Sequence, residues 1–167
     1  MDTYLLDTNL VSVLYDARRQ SHQAVRQAVA NLDSLAPQLV SAITIGELRF
    51  GLALSRAAGQ PLTHIEACIE KAEEHPLAEI GRHTAEAFAH VKSNIALHRL
   101  DVRRRIPRWV EGWTDRVTSR LLQIDENDLW LAAQAVERNF VVVTADQDFT
   151  QIIASAVPEL RVSLVTS

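Results

Sequence analysis

Cysteine is almost missing from this chain of 167 residues: Cys68 stands alone, which excludes an intrachain disulfide. Long apolar runs are missing as well. No stretch approaches the roughly 20 residues a membrane-spanning helix needs, and the first residues lack the basic start and apolar core of a secretory signal. A reducing cytoplasm, with no membrane contact, is the expected setting. No internal repeat and no low-complexity tract is visible. The composition is 47% hydrophobic and 23% charged, enough for one domain over residues 1–167 with a sizeable buried core and too little chain for two ordinary ones.

The formal net charge of -4 does not by itself suggest a nucleic-acid binder, but it averages over an uneven distribution. Between Leu97 and Arg120 there are seven arginines (Arg99, Arg103, Arg104, Arg105, Arg108, Arg116, Arg120) against Asp101, Glu111 and Asp115, a local +4. Ten basic and eighteen acidic residues remain elsewhere, a balance of -8. An acidic body with one basic segment fits a protein that gathers carboxylates for a metal and keeps a separate contact for phosphates, or a partner-binding arm.

Hydrophobic patterning predicts strands at 3–6, 39–43, 140–143 and 162–165, the third being the clearest because it is β-branched and bounded by Asn139 and Thr144. Helices are predicted around 10–14, 21–35, 62–74, 84–100, 125–138 and 149–156, with another starting at Thr44 and ending near Ala58. Strands separated by helices imply an α/β fold with a mainly parallel sheet covered on both faces.

Acids recur where these elements meet. Asp7 follows the first strand, Glu47 lies at the start of the helix after the second, Asp128 opens the helix before the third, and Asp146 and Asp148 follow the third. Carboxylates at strand ends and helix starts can converge on one edge of such a sheet and hold a hard divalent cation against a phosphodiester. Each also has a plain structural reading. Asp7 can cap the next turn, Thr44 and Glu47 form the T-x-x-E pattern of a capping box, Asp125 can cap a helix with Asp128 in its first turn, and Asp146 or Asp148 can cap the helix near Phe149.

Taken together and in chain order, Leu5-Leu6-Asp7-Thr8-Asn9, Thr44-x-x-Glu47-Leu48, Glu126-Asn127-Asp128-Leu129 with Ala132-Ala133, and Val143-Thr144-x-Asp146-x-Asp148-Phe149 resemble the PIN-domain ribonucleases, in particular the VapC toxins of bacterial type II toxin–antitoxin modules. The resemblance implies a three-layer α/β/α sandwich and an acidic pocket for Mg²⁺, with Mn²⁺ able to substitute. It implies cleavage of RNA by water to leave a 5′-phosphate and a 3′-hydroxyl, silencing by a small cognate antitoxin, and a homodimer. Carried over by position, Asp7, Glu47, Asp128 and Asp146 are the catalytic and metal-binding acids, with Asp148 a candidate fifth. Thr8, Asn9 and Thr144 would orient those carboxylates or a metal-bound water.

The chemistry suits these residue types. Mg²⁺ keeps several waters, so one or two direct carboxylates suffice, and Asp7 and Asp128 are the candidates; one ion or two could serve. None of the six histidines is assigned a role. The pattern departs from the compact family over residues 101–123, where a helical insertion is expected with Trp109 and Trp113 on one face. There Arg103, Arg104, Arg105 and Arg108 are candidates for RNA or antitoxin contact, while the tryptophans either stack a base or pack the extra helix. Trp130 and Cys68 are expected in the core. Rival readings are thinned by absences: a dehalogenase-type phosphatase would want Asp where Asn9 stands, and a receiver domain would want a lysine at a strand end, whereas Lys71 and Lys92 both fall in helices. A non-catalytic PIN-like scaffold binding RNA or protein, and a DNA- or structure-directed nuclease of the same superfamily, remain as alternatives.

Overall fold

The computed structural model describes residues 1–165. Five parallel strands, β1 (Tyr4–Leu6), β2 (Gln38–Ser41), β3 (Leu77–Ala78), β4 (Val141–Thr144) and β5 (Arg161–Leu164), form one sheet in the order β3-β2-β1-β4-β5. Six α-helices connect them: α1 (Thr8–Leu14), α2 (His22–Ala30), α3 (Ala42–Ala57), α4 (Thr63–Glu73), α5 (Arg82–Arg99) and α6 (Glu126–Arg138). A π-helical turn, Phe149–Ala154, lies between β4 and β5.

Period-two alternation along the strands builds the layers. Leu5 stands in register with Leu39 and Val142, and these side chains face α5, α6 and the π-helical turn, packing with Val91, Ile95, Leu129 and Phe149. One residue further along, Leu6, Val40 and Val143 point the other way, onto Leu10, Val25, Leu48 and Cys68 of α1 to α4. The result is the three-layer α/β/α sandwich. Cys68 is buried, and burial pushes its thiol pKa up.

The order of the strands matters for function. The chain steps outward from β1 through β2 to β3, then returns to the other side of β1 for β4 and β5. The connections therefore part company between β1 and β4, and a crevice opens beyond the carboxyl ends of those two strands.

Several boundaries differ from the sequence reading. The helix expected from Thr44 begins at Ala42, because the Ser41 hydroxyl accepts the amide of Ile43 at 3.0 Å and caps it there; Thr44 and Glu47 are not its capping box. β3 was not foreseen, since two residues carry no periodicity. The helix expected over 21–35 stops at Ala30.

The segment 101–123, expected as a helical addition, holds one 3₁₀ turn, Val110–Gly112, and an antiparallel bridge between Thr114 and Leu121. Pro107 and Gly112 interrupt it, and Trp109 and Trp113 flank the turn with extended backbone instead of sharing a helix face. Trp113 is 3% exposed, and its indole donates to the Pro107 carbonyl at 2.9 Å; Trp109 is 58% exposed. The Lys92 ammonium lies over the Trp113 and Phe88 rings and pairs with Glu126, fastening the segment to α5 and to the first turn of α6. Trp130 is half-buried and stacks on Phe88 with centroids 4.0 Å apart.

One buried polar contact ties the layers together. Gln134, fully buried on α6, accepts from the Ser41 hydroxyl at 2.6 Å and donates to the Ala78 carbonyl at 2.8 Å, so it joins α6 to the ends of β2 and β3. Gln134→Leu should cost about 2–3 kcal/mol, because it strands a buried hydroxyl and a buried carbonyl. Urea unfolding of the two proteins side by side checks this, and equal stability would contradict it.

Candidate functional site

Asp7 joins β1 to α1, which places its carboxylate at the carboxyl end of the strand. It is 2% exposed, and its Oδ2 accepts the Thr144 hydroxyl at 2.7 Å. The same hydroxyl oxygen accepts the amide of Asp146 at 3.0 Å. Thr144 is the last residue of β4, so one buried side chain sets both the β1 acid and the loop that carries Asp146. Asp146 in turn accepts the amide of Asp148 at 2.8 Å and starts the following helical segment. Of the acids singled out, Asp128 and Asp146 line the crevice directly, while Asp7, Glu47 and Asp148 stand behind its wall.

Glu47 arrives from the second turn of α3. Its two oxygens are held separately, Oε2 by the Thr8 hydroxyl at 2.5 Å and Oε1 by the Asn127 side-chain Nδ2 at 2.8 Å, while Thr8 also shares a 2.9 Å hydrogen bond with Thr44. Asn127 was not singled out in the sequence, although it lies inside the quoted Glu126-Asn127-Asp128 motif. A neutral residue among acids carried no charge signal there.

Asp128 serves in a capping box. Its Oδ2 accepts the Asp125 amide at 2.9 Å, and the Asp125 Oδ1 accepts the amides of Asn127 and Asp128. The structural reading of Asp125 and Asp128 is thus correct, yet it uses only one oxygen of Asp128. Both residues, with Asn9, Asp146, Glu111 and Gln123, line a cleft of about 400 Å³. Asn9 is exposed there.

The electrostatics are lopsided. Burial raises the Asp7 carboxyl pKa to about 6, opposed by the hydrogen bonds from Thr144 and the Thr8 amide and reinforced by the charges of Asp146 and Glu47. Asp128 is pushed up to about 8, first by burial and then by the charges of Asp125, Asp7 and Asp146, against the bond from the Asp125 amide. Among the described residues none of Asp7, Glu47, Asp128 and Asp146 pairs with a lysine, arginine or histidine. One buried and three half-buried acids without a counter-charge are what a divalent cation relieves. No three His, Cys, Asp or Glu side chains close into a cage among the described residues. The open, all-oxygen donor set fits a hard cation that keeps part of its water shell.

Of the residues singled out in the sequence, one hydrogen-bond chain joins Asp7, Thr144 and Asp146, another joins Thr8 and Glu47, and Asp128, Asp146 and Asn9 share the cleft wall. Arg103, Arg104 and Arg105 line a different cleft, and Arg108 lies over the Trp109 ring at 4.9 Å.

Comparison with known proteins agrees with this fold. No curated protein matches the chain. Among solved structures, a chain of VapBC2 from Rickettsia felis, bound to a DNA fragment from its promoter, superposes with a TM-score of 0.67 at 14% identity, covering 98% of this chain and 99% of that one. VapBC-1 from nontypeable Haemophilus influenzae gives 0.64 at 20% identity, with 99% of each chain covered. VapC20 of Mycobacterium tuberculosis, a Sarcin-Ricin loop cleaving toxin, gives 0.53 at 13% identity over 89% of this chain and 94% of that one. The PIN domain family matches residues 4–154, which takes in every strand but β5 and all the acids of the crevice, and the chain belongs to that family.

Proposed function

We propose that this protein is a divalent-metal-dependent endoribonuclease and the toxin of a type II toxin–antitoxin pair. The observation that carries the reading is the set of uncompensated acids, Asp7, Glu47, Asp128 and Asp146, at the sheet's switch point. Family membership supports nuclease chemistry, and the Sarcin-Ricin loop cleavage of VapC20 favours RNA over DNA. The likeness to VapBC chains supports a small antitoxin as partner.

Asp7 and Asp128 would hold Mg²⁺ or Mn²⁺ directly, each through the oxygen that its internal hydrogen bond leaves free. Asp146 would act at the same centre, and Glu47, fixed on both oxygens, would orient a water. A bound cation would supply Lewis acidity, lowering the pKa of the attacking water and offsetting charge at the scissile phosphate. Thr144 holds Asp7 in one rotamer, Thr8 and Asn127 do the same for Glu47, and Asn9 stands where a substrate would pass. No histidine is needed as base.

Purified, antitoxin-free protein should therefore cleave RNA in Mg²⁺ or Mn²⁺ and stop in EDTA. Asp7→Asn and Asp128→Asn should each lower cleavage at least about 100-fold, and Thr144→Val should lower metal affinity or activity by about 10- to 100-fold through misplacement of Asp7. Full cleavage in chelator would end the metal reading. Wild-type activity of either Asn variant would remove that acid from the centre.

The raised pKa values also set the pH dependence of stability. Asp7 and Asp128 hold protons more tightly folded than unfolded, so their contribution is complete below the ordinary aspartate value of 3.8. It is lost as pH rises through about 6 for Asp7 and about 8 for Asp128. In EDTA the melting temperature should fall between pH 4 and 8 on this account, and Asp128→Asn should flatten the upper half of that fall. Mn²⁺ competes with those protons, so it should raise the melting temperature more at pH 8 than at pH 6. Calorimetry across this range checks both, and a metal effect independent of pH would contradict them.

A further inference from the structure

The segment 101–123 separates two clefts of opposite character. On one side Glu111, Leu121 and Gln123 complete the wall of the acid cleft. On the other a larger cleft of about 840 Å³ is lined by Arg103, Arg104, Arg105 and Arg116 together with Asp101 and Asp115. Glu111 and Gly112 are adjacent in the chain yet face different clefts, so a single turn of backbone divides them.

The acids of this segment are already engaged. Asp115 is buried, accepts the amides of Val117 and Thr118 at 2.8 and 2.9 Å, and approaches Arg99 at 3.5 Å. Asp101 accepts the Arg103 amide and pairs with Arg104. Glu111 turns to the Glu126 amide. Arg103, Arg105 and Arg116 are left exposed with no carboxylate in ion-pair range among the described residues. In the same segment, outside the lining of that cleft, Trp109 presents an exposed ring with the Arg108 guanidinium on one face.

We propose that this arginine cleft is a second binding site, one that holds the phosphodiester backbone of single-stranded RNA next to the acid cleft, with Arg103, Arg105 and Arg116 on phosphates and Trp109 stacking an unpaired base. The proposal rests on the nuclease reading and adds where the strand runs. Guanidinium groups match phosphate oxygens in pairs, and an exposed aromatic in the same segment offers an unstacked base a surface. A cleft walled by charge is a poor seat for an apolar protein segment. The acid cleft also repels a polyanion, so cations close by are needed to bring the substrate in.

Binding of a fluorescein-labelled 20-nucleotide single-stranded RNA, measured in EDTA so that nothing is cut, tests this apart from catalysis. The Arg103→Ala/Arg105→Ala/Arg116→Ala variant should bind about 10-fold or more weakly at 0.1 M salt. The slope of log K against log salt should fall by about two, at roughly 0.7 per lost phosphate contact on single strands. The triple lysine variant should keep most of the slope, and Trp109→Ala should weaken binding with the slope unchanged. An unaltered slope in the alanine variant overturns the proposal, as does a wild-type protein that does not bind the RNA. Loss of affinity for a hepta-glutamate peptide with RNA binding intact would overturn it too, making the cleft a protein-docking surface. Cleavage by wild type alongside an unaltered slope would leave the nuclease reading standing and remove only the second site. RNA bound through these arginines but never cut in Mn²⁺ would do the reverse.

Discussion

The crevice depends on one hydroxyl. Thr144 Oγ1 donates to Asp7 and accepts from the Asp146 amide, and so bridges the two strands between which the chain reverses its direction of travel. A sheet opens at such a point because the connections on either side lead away from it. Left alone, two loops bearing acids would spread apart, since burial and like charge both favour separation. A buried hydrogen bond inside a low-dielectric pocket opposes that, and it is strong because one partner is a carboxylate. Valine would fill the same space and lose both bonds at once.

Function and stability pull against each other here. Asp7 and Asp128 are raised to about 6 and 8 because the fold buries them without a cation of its own. The stability that such a site gives up must come from elsewhere, and the two apolar layers supply it. Leu5 and Val142 face one side and Leu6 and Val143 the other, so every central strand residue is covered by helices. The rigid sheet then lets four acids from distant stretches of chain stand close together without collapsing into pairs with arginine.

How much of this could be read from the sequence varied with the distance over which each feature is decided. The strand ends at Asp7 and Asp146 were legible because short β-branched or leucine runs announce them. The helix start near Glu47 was misread by two residues: Ser41 caps it, which carries Glu47 into the second turn and frees its carboxylate to reach Thr8 and Asn127. At Asp128 the cap and the candidate site proved compatible, because a carboxylate has two oxygens. Asn127 escaped notice because its partner lies 80 positions away. In the segment 101–123 the spacing of Trp109 and Trp113 imitated a helix face, while the fold there is set by long-range contacts: Trp113 on Pro107, and Lys92 between α5 and Glu126. Local pattern could not report those.

Charge gives the last connection between the two halves of the molecule. A cluster of carboxylates would repel the phosphodiester that the proposed reaction brings to it, and with the Debye length near 8 Å at physiological salt that repulsion is felt only close to the site. Attraction must act over the same short range to compensate. The fold meets this by placing its basic segment in the wall of the acid cleft, where Glu111 and Gly112 back onto each other, instead of spreading arginines over the acidic body. Of the segment's own acids Asp115 is buried on backbone amides and Asp101 pairs with Arg104, which leaves Arg103, Arg105 and Arg116 exposed. On the proposed reading, acids in the crevice and arginines in the neighbouring cleft would let a chain with a net charge of -4 accept a polyanion.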